Sequence, residues 1–327
     1  MAKLETVWLD VEKCVDEWEQ LVSASLQGSI FCRKWWMDAV QPGGYGLLGV
    51  RRGDGKLVAG QVVPFNSDKS RMSMPRLTQT LGPLLTLSDK TRYGDKLTFE
   101  MDLLAELAGA LSKLTLASFN AKYTLTNWLP YMWKGYKQTT KYTYVIPDIS
   151  DLAQVHENLT VKLKGKIEKA KKICHVEEID EIADFYEINK KTFARQGMSI
   201  PYPLEFVRCL DDAAKAHQAR LCLVAKDGEG RAHVAIYVVY DEKSAYLLMS
   251  GGDPELRKSE AKTLLVWEAI QRLSGKTKAF DFEGSCMKNI ESWDREFSAI
   301  QMPYLAITKD NRSPLRHAWE YLKYRMG

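Results

Sequence analysis

Asp281, Glu283 and Ser285 alternate with apolar or small residues in the run Lys278-Ala279-Phe280-Asp281-Phe282-Glu283-Gly284-Ser285. Polar groups at every second position of such a run share one face of a strand. Gly284 signals a turn, so the strand end offers Asp281 or Glu283 as a proton acceptor and Ser285 or a backbone N–H as a hydrogen-bond donor. The same residues have a plainer use: Asp281 can pair with a neighbouring lysine, and Glu283 can cap the next turn. A predicted helix with Trp293-Asp294-Arg295-Glu296-Phe297 follows. Strand ends beside helix starts are common ligand sites in α/β proteins, because the first N–H groups of a helix have no partner within it.

The second chemical feature is cationic. In Lys162-Leu163-Lys164-Gly165-Lys166-Ile167-Glu168-Lys169-Ala170-Lys171-Lys172, helical spacing puts Lys162, Lys166 and Lys169 on one face and Leu163, Ile167 and Ala170 on another. A row of ammonium groups neutralises phosphates as point charges; it serves equally as a solvated face. Trp128-Leu129-Pro130-Tyr131-Met132-Trp133-Lys134-Gly135-Tyr136 is aromatic-dense and suits either stacking on a sugar or nucleobase or packing in a core.

These residues need elements to hold them. Helical patterns are predicted over 11–23 and 97–113, with a hairpin of 45–51 and 57–65 around Gly53-Asp54-Gly55 and a strand start at 117–120. The second half reads as helices 181–194 and 204–216, strands 219–225, 232–240 and 245–251, a helix 259–273, a strand 279–282, a helix near 291–297 and a strand 304–308. The boundary is placed at 148/149, where a β-rich run gives way to a helix that Ser150 or Asp151 can cap. This divides the chain into domains 1–148 and 149–327.

Composition narrows the class. A chain of 327 residues with 45% hydrophobic and 27% charged residues has the balance of a soluble globular protein with a real core. A net charge of +4 is too mild to argue for nucleic acid by itself. The six cysteines form no Cys-x-x-Cys pair and the five histidines no His-x-x-x-His pair, so reduced thiols and no metal site are expected. No apolar run reaches the ~18–20 residues that span a bilayer, and the N-terminus does not read as a signal peptide, so a cytoplasmic location is expected.

The 278–297 stretch and the order of elements resemble the FemAB-like and BioF2-like acyltransferases of the GNAT superfamily, across nearly the whole chain. The resemblance implies an α/β fold, with α+β mixed sheets, of two tandem GNAT-like domains. It implies a bacterial N-acyltransferase that holds donor and acceptor in a cleft between the halves and passes an acyl or aminoacyl group to an amine. The implied donor is an acyl-CoA or an aminoacyl-tRNA, with no metal. The implied acceptor is a small molecule such as a nucleotide sugar or a peptidoglycan-precursor-like cell-envelope compound. In that frame Glu283 or Asp281 is the base, Ser285 serves the oxyanion, and Arg295 stands where relatives carry a lysine that steadies the donor.

The basic helix with Lys162, Lys166 and Lys169 corresponds to one that binds a phosphate-bearing substrate. Phe31-Cys32-Arg33-Lys34-Trp35-Trp36 resembles an N-terminal element whose Phe31 and Trp36 anchor a helix in the core while Arg33 or Lys34 can project toward the cleft. Phe193-Ala194-Arg195-Gln196-Gly197 and Pro201-Tyr202-Pro203 resemble a segment lining the acceptor site, which makes Arg195 and Tyr202 binding candidates. The run from Ser250 to Ala261 stands where GNAT enzymes cradle pyrophosphate, with Arg257, Ser259, Ala261 and Lys262 as the matching positions. Ser259 or Glu260 replaces an expected glycine, and an acidic side chain there hinders close approach of a diphosphate. Two rival readings remain: a catalytically inactive GNAT scaffold and an RNA-binding module.

Overall fold

The computed structural model describes residues 3–284 and 288–312, with the backbone alone for 288–290. Ser285, a candidate oxyanion donor, and Cys286 lie outside the described residues. The described residues form two compact units, one of 3–141 with 304–312, the other within Tyr142–Pro303.

In the first unit, β1 (Leu4–Leu9) is followed by α1 (Val15–Ala24) and α2 (Lys34–Val40). The hairpin of β2 (Tyr45–Arg52) and β3 (Leu57–Pro64) comes next, then the short strands β4 (Arg71–Met72) and β5 (Leu84–Leu85). β1, β2, β3 and β5 make one antiparallel sheet in that order. α1 buries Trp18, Leu21 and Val22, one helical face, against β3. Phe31 and Trp36 are core residues that meet edge to face at 5.0 Å.

α3 (Tyr93–Leu111) buries Leu103, Leu104, Leu107, Ala108 and Leu111 at helical spacing. It leads to β6 (Leu116–Asn120) and α4 (Leu129–Trp133). The tyrosines of the aromatic segment are core: Tyr131 and Tyr136 are buried with rings 5.2 Å apart. Trp133 is exposed.

The second unit contains the end of β7 (Lys137–Ile146), then α5 (Leu152–Asn158), α6 (Val161–Lys171), β8 (Cys174–Glu178), α7 (Ile182–Arg195) and α8 (Leu204–Ala216). Asp151 caps α5 through the Gln154 N–H, and Thr160 caps α6 through the Leu163 N–H. A meander of β9 (Arg220–Asp227), β10 (Ala232–Tyr240) and β11 (Ser244–Gly252) precedes α9 (Ala261–Leu273), β12 (Ala279–Asp281) and α10 (Lys288–Asp294). The unit's strand order is β7-β12-β11-β10-β9-β8. β11 and β12 are parallel and joined by α9, as parallel neighbours require a crossover.

One core packs the apolar face of α6, Leu163, Ile167 and Ala170, with α9 and the inner faces of the sheet. β13 (Ile300–Asp310) closes the described chain, and its Ala306–Asp310 segment pairs antiparallel with β6. The strand expected at the end of the second half therefore completes a sheet of the first unit, a return that a single cut at 148/149 does not express. The fold class is as the pattern predicts, mixed α/β sheets.

Candidate active site

The two parallel strands part. β11 pairs with β12 only through Ser244, Ala245 and Tyr246, opposite Ala279, Phe280 and Asp281. β11 continues to Gly252, whereas β12 stops at Asp281. Across β10 the register jumps from Tyr237↔Met249 to Val239↔Tyr246, which places an extra residue on β11. Such a bulge bends the strand that carries it.

Beyond the bulge β11 is drawn to α7. Asn189 Nδ2 donates to the Ser250 carbonyl at 2.9 Å, and the Gly252 N–H donates to Thr192 Oγ1 at 3.0 Å. Tyr202 secures the other side of Asn189, donating its hydroxyl to Oδ1 at 2.9 Å. Tyr202 is itself buried, so in this structure it supports β11 through Asn189. Past Tyr246 no strand covers β11 on its β12 side among the described residues.

The end of β12 faces this opening. Asp281 is buried, and its Oδ1 accepts from Thr143 Oγ1 at 2.5 Å and from the Glu283 N–H at 2.8 Å. Thr143 Oγ1 in turn accepts the Gly284 N–H at 3.1 Å. Gly284 is obligatory for this approach, because a Cβ there would stand 2.7 Å from Thr143 Cα. Asp281 thus holds a turn in which Glu283 takes φ +53, a left-handed conformation that costs a non-glycine residue about 1–2 kcal/mol. Glu283 Oε1 is buried with no hydrogen-bonding partner among the described residues. Burial, and then the charge of Asp281, push its carboxyl well above the usual range.

A second carboxyl lies on α10. Asp294 is buried, its Oδ2 has no partner among the described residues, and burial pushes its pKa up to about 7. Lys262 opposes that rise, while Glu291 and Asp281 add to it. The Lys262 ammonium sits 4.3 Å from the centre of the Trp293 ring, a cation–π contact, and burial lowers its pKa. Trp293 is fixed by its Nε1–H to Thr263 Oγ1 at 3.2 Å and by Phe282 and Phe297. Glu291 accepts from the Tyr144 hydroxyl at 2.7 Å and pairs with Arg295 at 2.6 Å. Gln301 Nε2 donates to the same hydroxyl at 2.6 Å. The Arg295 side chain is 61% exposed, so its charge faces solvent and Glu291.

The two cationic stretches meet. Lys162 and Lys166 both bind Glu296, at 2.5 and 2.7 Å. Lys169 Nζ donates to the Lys258 carbonyl at 2.6 Å. The lysine face of α6 therefore runs beside the loop that enters α9, where Arg257 and Lys258 are exposed. Five cations collect here against Glu260 and Glu296.

Ser259 is buried and spends its hydroxyl on the Leu256 carbonyl. Ala261 is also buried, and Lys262 turns to Trp293, so of the four cofactor candidates Arg257 is the exposed one. Glu260 has φ +61, a backbone shape suited to the glycine the pattern calls for. Glu260→Gly should stabilise the protein by about 1 kcal/mol by removing that strain, which a rise in melting temperature would register. An unchanged or lower value would count against the strain.

Arg195 lies exposed at the end of α7. Lys34, in the first unit, is held by Asp38 at 2.8 Å and Glu12 at 3.1 Å. Sequence reasoning missed Thr143, Tyr144 and Glu291 as parts of the site. Thr143 and Tyr144 lie on β7, and nothing local in the sequence signals their partners more than a hundred residues away.

Residues 162–285 match the family model for an acetyltransferase (GNAT) domain. No curated protein sequence matches the chain. FemX superposes with a TM-score of 0.68 at 12% identity, covering 92% of this chain and 96% of that one. The C-terminal domain of an Agrobacterium fabrum protein described as a lysylphosphatidylglycerol synthetase gives 0.55 at 9% identity, covering 96% and 95%. L-PGS from Bacillus licheniformis gives 0.51 at 11% identity, covering 92% and 94%. Residues 162–285 are thus matched to the acetyltransferase (GNAT) domain family, and nearly the whole chain shares the fold of FemX.

Proposed function

We propose that the chain transfers an acyl or aminoacyl group from a phosphate-bearing donor, an acyl-CoA or an aminoacyl-tRNA, to the amine of a nucleotide-sugar or peptidoglycan-precursor-like acceptor. One observation carries this reading. Parallel strands part beside a five-cation cluster, and beside them lie two buried carboxyls, Glu283 and Asp294, each with one oxygen that has no hydrogen-bonding partner among the described residues. The edge of β11 past Tyr246, which no described strand covers, can bind the extended arm of a donor as another strand would. Lys162, Lys166, Lys169, Arg257 and Lys258 offer its phosphates positive charge.

The environments of the two carboxyls divide the work. Asp294, poised near neutrality, accepts the proton of the attacking amine. Glu283, kept neutral, donates a hydrogen bond to the oxyanion that forms as the C–N bond closes. Collapse then breaks the C–S bond of a thioester or the C–O bond of an aminoacyl ester, and the leaving group takes up a proton. Asp281 positions Glu283, and Arg295 fixes Glu291.

The test is calorimetric titration with acetyl-CoA, longer acyl-CoAs and aminoacyl-tRNA, followed by transfer to an amine. Micromolar CoA binding selects the thioester donor. Aminoacyl-tRNA binding with transfer selects the ester. Binding of RNA without transfer, or of no donor at all, overturns the proposal in favour of an RNA-binding module or an inactive scaffold. Replacing Lys162, Lys166 and Lys169 with glutamine should weaken either donor and flatten the salt dependence of binding, most of all for aminoacyl-tRNA, whose binding releases condensed counterions.

A further inference from the structure

The lysines offered to a donor's phosphates already hold an anion of the chain's own. Glu296 reaches two of them: its Oε1 accepts from Lys162 Nζ at 2.5 Å and its Oε2 from Lys166 Nζ at 2.7 Å. Lys166 also stands 3.9 Å from the Glu260 carboxylate. The Glu296 side chain is 16% exposed, so water screens these contacts less than it would on an open surface. Burial works to raise the Glu296 pKa, but the two lysines outweigh it and hold the carboxyl below its usual range. Glu296 is therefore an anion at neutral pH, seated on the lysines that the donor reading gives to phosphate.

The backbone of Glu296 is pinned, and its side chain is the part that can swing. Phe297, next in the chain, is buried and packs against Phe282 and Trp293 at 5.1 and 5.0 Å. The Glu296 carbonyl accepts the N–H of Thr160, the residue that caps α6, at 3.3 Å. The carboxylate itself brings a single negative charge to the two ammonium groups. A diphosphate brings at least two charges and more acceptor oxygens, so it meets the same lysines with the stronger attraction.

We propose that Glu296 is an internal competitor for the phosphate site: its carboxylate occupies Lys162 and Lys166 until a phosphate-bearing ligand displaces it. The site is thereby neutralised when empty, and only an anion that holds the two lysines better than Glu296 does gains both. This inference rests on the reading of the lysine row as a site for the donor's phosphates.

The experiment titrates the full chain and its Glu296→Gln variant with inorganic pyrophosphate in a calorimeter at low salt. Glutamine keeps the length of the side chain and removes its charge. The variant should bind pyrophosphate about tenfold more tightly, the value of one hydrogen bond to a charged group. It should also melt at a lower temperature, since the ion pairs from α6 to Glu296 are gone. A merely structural Glu296 predicts a loss of both, so an affinity that is unchanged or weaker overturns the proposal. The gain should shrink when Lys162 and Lys166 are also glutamine, and an equal gain in that background overturns it. Should Glu296→Gln fail to fold, Glu296→Asp decides: its shorter side chain cannot span both ammonium groups, and it too must bind more tightly than the parent. Tighter binding by the variant upholds the proposal even where no acyl group is transferred. An active enzyme whose variant binds pyrophosphate no tighter overturns it and leaves the transfer reading intact. Binding by neither chain also overturns it.

Discussion

Asp294→Asn is expected to lower the rate of acyl transfer about 10²–10⁴-fold, the range that a positioned general base contributes. In the unsubstituted protein the rate should rise with pH and reach half its plateau near pH 7, because burial has moved the Asp294 carboxyl to about 7. The variant should lose that inflection together with the rate. Asparagine keeps the size of the side chain and cannot take a proton, so the comparison isolates proton transfer. Initial rates from pH 5.5 to 8.5 decide the matter. A variant with more than half the original rate and the same profile would remove Asp294 from the mechanism.

The same carboxyl makes a stability claim whose sign is opposite to that of an ion-paired aspartate. The folded-state pKa of about 7 lies above the ordinary value of 3.8, so between those values the folded state holds a proton that the unfolded state has released. Stability therefore falls as pH rises through this window and levels off above about 7. Asp294→Asn removes the burial cost of the charge. Its melting temperature should decline less between pH 5 and pH 8 than that of the parent. Lys262 limits the gain, since its ammonium then loses the nearby carboxylate. A steeper decline in the variant would mean that Asp294 is a stabilising ion-pair partner and not a poised base.

Much of the second unit is legible in the sequence because its signals are local. Alternation gives β9, β10 and β11, helical spacing gives α6 and α9, and Asp151 at the boundary is the cap it promises to be. The chemistry at Asp281 and Glu283 is half legible. Their alternation marks a strand end, yet Asp281 spends its Oδ1 on Thr143, 138 residues earlier, and on the backbone of its own turn. The lysine row and the Arg257 loop read as two separate motifs, since nothing local says that Lys169 reaches Lys258. The glycine expected before α9 is absent, but its backbone shape survives in Glu260. Conformation at that position is set by the turn, with sequence only biasing it.

Gly251→Ala should be among the most damaging single-methyl changes in the second unit. A Cβ at 251 would stand 2.2 Å from Asn189 Cα, 2.7 Å from Asn189 N and 2.8 Å from the Ile188 carbonyl oxygen. All three are backbone atoms of α7, so no side-chain rotation relieves the clash, and either α7 or β11 has to move. Overpacking of this kind typically costs about 1–3 kcal/mol, and the rigidity of both partners puts this case at the upper end. For a unit of this size that corresponds to a loss of roughly 6–12 °C in melting temperature.

Moving α7 away also strains the Asn189–Ser250 and Thr192–Gly252 bonds that draw β11 from β12. Donor affinity should therefore fall even at temperatures where the variant remains folded. Gly228→Ala, at a hairpin position with nothing within 4 Å of the new methyl, is the control and should leave both quantities within error. If Gly251→Ala melted with Gly228→Ala and bound donor normally, the close approach of α7 would not be what parts the strands. The bulge between Tyr246 and Met249 would then have to account for the parting unaided.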